Sequence, residues 1–209
     1  MAINYKEQFD RDGYVVIDDI INIFNQEEIK STLFNPNFPY FFVPDIIWGK
    51  GIDDEDLDGE KKYPGLYHLF VLDGNINSEL YIRPIQNMIY KGSEIVESEH
   101  REIIFSRMFL TLPLHEQFNA TDRKLHIDRV KPHLVVLYYV IDSDGDTILT
   151  NIMGNGEEID YDKYLTDESN IKARVTPKQG RALIFNGLHY HGVTPPKNGI
   201  RSIINSVLI

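Results

Sequence analysis

In the segment KLHIDRVKPH, His126 and Asp128 stand two residues apart, and in NGLHYHGV so do His189 and His191. These two short stretches hold four of the seven histidines in the chain. Along an extended strand, residues i and i+2 face the same way, so His126 and Asp128 present an imidazole and a carboxylate side by side. One imidazole from a distant strand would complete two histidines and one carboxylate on one face of a metal ion. Such a face leaves coordination positions open and suits non-haem Fe(II) chemistry. His189 and His191 compete for the third place. Arg201 follows His191 by ten residues, and a guanidinium there suits a bidentate pair with a carboxylate of a co-substrate bound at the metal.

Composition narrows the chemistry. The chain has no cysteine, which excludes disulfides, thiolate zinc sites and cysteine nucleophiles together. Any metal must be held by His, Asp or Glu. A formal net charge of −11 opposes phosphate backbones, so no nucleic-acid partner is expected. With 209 residues, 42% hydrophobic and 25% charged, the chain is expected to fold as one domain over 1–209. The start MAINYKEQFDRDGYVV lacks the pattern of a signal peptide, and no apolar run approaches the roughly twenty residues that span a bilayer. The expectation is a cytoplasmic protein with no membrane partner.

The elements that must position these residues differ between the two halves. Residues 1–102 read as a helical and loop layer. In NQEEIKSTLF, Asn25 with Glu28 reads as a capping box opening a short helix. A second helix is expected within NSELYIRPIQNMIYKGSEIVESE, with Pro84 at a kink or in its first turn. Between them, Asp54, Asp56, Asp58 and Gly59 copy half of a calcium loop. Gly65 stands where the closing Glu belongs, so a solvated acidic loop is expected. From 103 to 209 the texture turns to short β-rich runs: IIFSRMFLTL, HLVVLYYVI, DTILTNI, IKARV, RALIF and GIRSIINSVLI. Runs at this spacing predict an antiparallel sandwich or barrel. Pro195, Pro196, Asn198 and Gly199 read as a hairpin into the last strand. The acidic stretch 154–170 reads as a long insertion between strands.

HID, YYV, DGDT and HGVTPPKNGIR, in this order, resemble the Fe(II)- and 2-oxoglutarate-dependent dioxygenases, most of all the small prolyl-4-hydroxylase-like branch of bacteria and phages. The resemblance covers about the C-terminal half. It implies a mainly β fold with N-terminal helices (α+β), built on a double-stranded β-helix or jelly-roll core. It implies Fe(II) on His126, Asp128 and His191, and 2-oxoglutarate held at its far carboxylate by Arg201, with Tyr139 beside it. It further implies dioxygen as co-substrate, ascorbate as an accessory reductant, and a small-molecule or peptide substrate. The implied reaction hydroxylates a C–H bond, such as one of a peptidyl proline, while 2-oxoglutarate becomes succinate and CO2. Related halogenases lack the metal carboxylate, which is kept here as Asp128. The second arginine of the nucleic-acid demethylases is absent from RSIINSVLI.

Other readings attach to the same residues. Tyr139 fits a core tyrosine with a bonded hydroxyl, and the histidine that does not bind metal would serve as a supporting partner. His133 fits packing or substrate contact, and Arg107 fits a role toward substrate or solvent. His68, His100 and His115 show no partner pattern. A non-catalytic jelly-roll binding module or a cupin-like metal protein is the alternative function. A cupin would bring more histidines and a Glu and would have no need of Arg201.

Overall fold

The computed structural model describes residues 4–43, 64–113, 125–154 and 167–209. The solvated acidic loop expected around Asp54 to Gly59, His115, and most of the acidic insertion lie outside these residues. The described chain is mainly β, with three α-helices: α1 (Tyr5–Asp12), α2 (Ile23–Leu33) and α3 (Arg83–Ile95). Its strands are β1 (Tyr14–Ile17), β2 (Phe41–Val43), β3 (Gly65–Leu72), β4 (Asn75–Ile76), β5 (Ile103–Thr111), β6 (Leu134–Tyr139), β7 (Thr147–Met153), β8 (Ile171–Val175), β9 (Ala182–Asn186), β10 (His189–Val193) and β11 (Arg201–Leu208).

An eight-stranded sheet runs in the order β1-β9-β6-β11-β5-β3-β2, with β4 on β3, and a three-stranded sheet runs β10-β7-β8. The pairings are antiparallel. Side chains from the two sheets share one apolar cluster: Val135, Leu137, Phe185 and Ile203 of the large sheet meet Leu149 of β7 and Val175 of β8. This is the jelly-roll core. The opposite face of the large sheet carries Val136, Tyr138, Ile184, Ile204 and Leu208, which pack with Ile29 and Leu33 of α2 and Ile85, Met88 and Ile89 of α3. Strand β6 is therefore buried on both faces, which explains its unbroken apolar run where a half-exposed strand would alternate.

Three expectations change. Helix α2 begins earlier than predicted: Asn22 is its cap, accepting from Asn25 N at 3.0 Å, so Asn25 is a helical residue and there is no capping box at that position. The N-terminal half supplies β1, β2, β3 and β4 to the large sheet as well as helices. The prolines at 195 and 196 do not turn a hairpin, because β10 belongs to the small sheet and β11 to the large one. The loop carries the chain across the core, and Asp144 fastens it by accepting from Lys197 N at 2.9 Å and Asn198 N at 3.0 Å. Pro84 stands in the first turn of α3, where its missing N–H costs nothing. Among the described residues no helix is long and apolar enough to cross a membrane.

Candidate active site

Alternation along the strands aims the polar residues inward. Leu125 packs with Ile148 and Tyr190 on the outer face of the small sheet, and Ile127 lies against them. His126 and Asp128, which alternate with Leu125 and Ile127, must then face the space between the sheets. His126 and His191 form an antiparallel bridge, with His126 N to His191 O at 3.0 Å and His191 N to His126 O at 2.9 Å. Two main-chain bonds thus fix the separation of the two imidazoles, whose ring centroids lie 4.4 Å apart.

One ligand atom each from His126, Asp128 and His191 lies within 4.8 Å of the others. His191 Nε2 and Asp128 Oδ2 are 3.7 Å apart, too far for a hydrogen bond. Bonds from a metal to such atoms are about 2.0–2.2 Å long, so one ion reaches both. The donor set fits a metal of the Fe(II) type. His191 Nδ1 lies 3.1 Å from the carbonyl oxygen of His189, which can only accept. The proton is therefore on Nδ1, and Nε2 offers its lone pair to the cluster. Phe185 packs edge-on against His191, with ring centroids 4.9 Å apart.

His189 is turned away from the cluster. A register shift between His189 and His191 breaks the simple alternation of β10. His189 Nδ1 donates to Thr150 O at 2.9 Å, and its Nε2 faces Gly13 at the end of α1. It joins the N-terminal helix to the small sheet. His133 is buried, donates from Nδ1 to Lys131 O at 2.8 Å, and packs over Gly187. His68, midway along β3, bonds Pro39 O and Ser78 Oγ within an aromatic cluster.

Burial pushes the Asp128 carboxyl up, but His191, His126 and Arg107 together pull it down further, so it ionises below the ordinary carboxylate range. Asn205 Nδ2 donates to both of its oxygens, at 3.5 and 3.4 Å. Arg107 Nη2 stands 3.8 Å from Asp128 Oδ1. Burial lowers the Arg107 guanidinium to about 10, partly offset by Asp128 and Tyr67, which leaves it charged at neutral pH.

A cavity of about 50 Å3 runs from His126, His191 and Asn205 to Arg201, walled by Phe109, Leu137, Val193 and Ile203. Arg201 is 2% exposed. Its Nε donates to Gly145 O at 2.9 Å and one Nη to Thr147 Oγ1 at 2.8 Å. Tyr139 donates its hydroxyl to the same Thr147 Oγ1 at 2.7 Å, and burial raises that phenol to about 12. Thr147 thus anchors both residues expected at the far end of a co-substrate. Neither Thr147 nor Asn205 stands out in the sequence. Asn205 could have been found from its place four residues after Arg201, on the same face of one strand.

No family model matches the sequence, and no curated protein matches it. Solved structures do match. An oxidoreductase of the 2OG-Fe(II) oxygenase family from Burkholderia pseudomallei is 10% identical at a TM-score of 0.63, covering 98% of this chain and 88% of its own. The fold is that of the 2-oxoglutarate- and Fe(II)-dependent oxygenases. A prolyl-4-hydroxylase from Pseudomonas putida is 11% identical at a TM-score of 0.57, over 98% of this chain and 96% of its own. The epimerase SnoN, in complex with Fe3+, α-ketoglutarate and nogalamycin RO, is 14% identical at 0.58, over 98% of this chain and 82% of its own. One oxygenase fold therefore carries both a hydroxylase and an epimerase, and the reaction must be argued from the site.

Proposed function

We propose that this chain is an Fe(II)- and 2-oxoglutarate-dependent dioxygenase that hydroxylates a C–H bond of a small molecule or peptide. His126, Asp128 and His191 would hold the iron. Arg201 would bind the far carboxylate of 2-oxoglutarate, fixed in its plane by Gly145 O and Thr147 Oγ1. The observation that carries the reading is the single cavity joining the His126 and His191 end to Arg201. It offers an anion receptor at one end and metal donors at the other, as a chelating keto acid requires. The iron, with 2-oxoglutarate and dioxygen, supplies the oxidising chemistry, in which 2-oxoglutarate goes to succinate and CO2.

The protein's own part is to orient and shield. His191 keeps its proton on Nδ1 through His189 O, Asn205 holds the Asp128 carboxylate, and Phe109, Leu137, Val193 and Ile203 keep the cavity apolar between its charged ends. Tyr139 acts through Thr147 and is not itself a lining residue of that cavity. Retention of Asp128 favours hydroxylation, and the likeness to a prolyl-4-hydroxylase supports a proline as the group modified. Anaerobic titration with Fe(II) and 2-oxoglutarate tests the proposal. A visible metal-to-ligand charge-transfer band is expected in wild type, lost in His191→Ala and needing far more 2-oxoglutarate in Arg201→Ala. A wild-type protein that binds neither would sink the enzyme and leave a jelly-roll binding module.

A further inference from the structure

Arg107 is a buried cation without a hydrogen-bond acceptor among the described residues. It is 9% exposed on β5, and its Nε is buried with no partner there. Its guanidinium carbon lies 4.4 Å from the ring centroids of both Phe105 and Phe109. Aromatic rings stabilise a guanidinium but offer its in-plane N–H donors no hydrogen-bond acceptor. Among the described residues the nearest carboxylate oxygen, on Asp128, is 3.8 Å away, beyond hydrogen-bond reach, and Asn205 already engages that carboxylate. Burying a guanidinium with a donor unmet is costly, and the cost is recovered when an anion meets it.

Arg107 lines the cavity toward Arg201 and also a second cleft of about 270 Å3, whose other lining residues are Asp73, Ile104, Phe105, Asp128, Arg129 and Val207. Arg107 and Arg129, the carboxylates of Asp73 and Asp128, and an apolar wall of Ile104, Phe105 and Val207 meet there. Arg201 accounts for the far carboxylate of a keto acid in the other cavity, so the cation in this cleft is left for a different anion. We propose that Arg107 is the specificity-determining residue of the primary-substrate cleft, pairing with the carboxylate of a small organic acid whose apolar body lies on Ile104, Phe105 and Val207. This rests on the oxygenase reading, which makes the space beside Asp128 the place where a C–H bond is presented. The carboxylate can belong to a free acid or to the C-terminus of a peptide.

The test is calorimetric titration of the full chain, loaded with Ni(II) as an inert metal and with 2-oxoglutarate. The probes are L-proline, L-leucine and cyclohexanecarboxylate, and Gly-Pro for the peptide arm, each against its primary amide. An acid is expected to bind roughly ten- to a hundredfold more tightly than its amide, the range for a hydrogen bond to a charged group. Arg107→Gln should erase that preference and keep 2-oxoglutarate affinity, while Arg107→Lys should keep part of it and so exclude a mere packing defect. Preference among the free acids points to a free acid, and preference for Gly-Pro alone to a peptide C-terminus. Acids and amides binding alike, or none binding, would overturn the proposal. So would a loss of 2-oxoglutarate affinity in Arg107→Gln equal to that in Arg201→Gln, since Arg107 would then serve the co-substrate. If 2-oxoglutarate fails to bind while the acid preference persists in wild type and vanishes in Arg107→Gln, the oxygenase reading falls and the carboxylate site stands.

Discussion

The side chain on which the proposed metal site most depends, apart from the three ligands, is Asn205. Its amide spans both oxygens of Asp128, and a carboxylate free to rotate would lose its aim at the ion. Partners of this kind are worth about 10- to 100-fold in metal affinity. Asn205→Ala should therefore weaken Fe(II) binding by about tenfold or more, as read by competition with a chromogenic chelator under anaerobic conditions. An unchanged affinity would mean that the backbone around Ile127 orients Asp128 unaided. At this scale the sequence was informative where chemistry is local. A His and an Asp two apart on an extended segment need little beyond strand geometry to be paired. Strand geometry alone left His189 and His191 in competition and only the family resemblance pointed to His191, because the choice turns on a register shift and on two carbonyl acceptors, Thr150 O and His189 O. Spacing puts Asn205 on the strand face of Arg201, but its partner was missed because Asn205 meets Asp128 across 77 positions of chain, a contact set by strand pairing.

Among the elements, α1 is coupled to the small sheet through a single glycine. Gly13 caps α1 in the left-handed region at φ 74°, and a Cβ there would lie 2.6 Å from His189 Nε2. Gly13→Ala combines backbone strain with a steric clash and should cost about 1–3 kcal/mol. For a chain of this size that lowers the midpoint of thermal unfolding by roughly 2 to 12 °C, followed by circular dichroism. The double variant with His189→Ala should recover the steric share and leave the conformational one. A single variant that melts with wild type would refute the contact. Strands β5 to β9 and β11 were readable from their apolar and β-branched runs. The strands β1 and β3 were not, since YVVI is short and GLYHLFVL is an apolar run that fits helix or strand equally. The hairpin expected at Pro195 failed for a related reason: turn residues mark a change of direction but do not say which sheet receives the chain.

The whole molecule sets two fields of opposite sign against each other. The chain carries a net charge of −11, so a dianionic keto acid approaching from solution is repelled at long range. The proposed receptor is a buried arginine, Arg201, which is 2% exposed and little screened by salt. Raising ionic strength from about 10 mM to about 150 mM shortens the screening length from about 30 Å to about 8 Å. The repulsion is then largely removed while the short-range pair at Arg201 survives. The association rate of 2-oxoglutarate with the Ni(II)-loaded protein, followed by stopped flow, should therefore rise with added salt. Its dissociation rate should change little. A rate that falls with salt would show that Arg107, Arg129 and Arg201 make the mouth of the site locally positive despite the overall charge. Steering by the site would then outweigh repulsion by the surface.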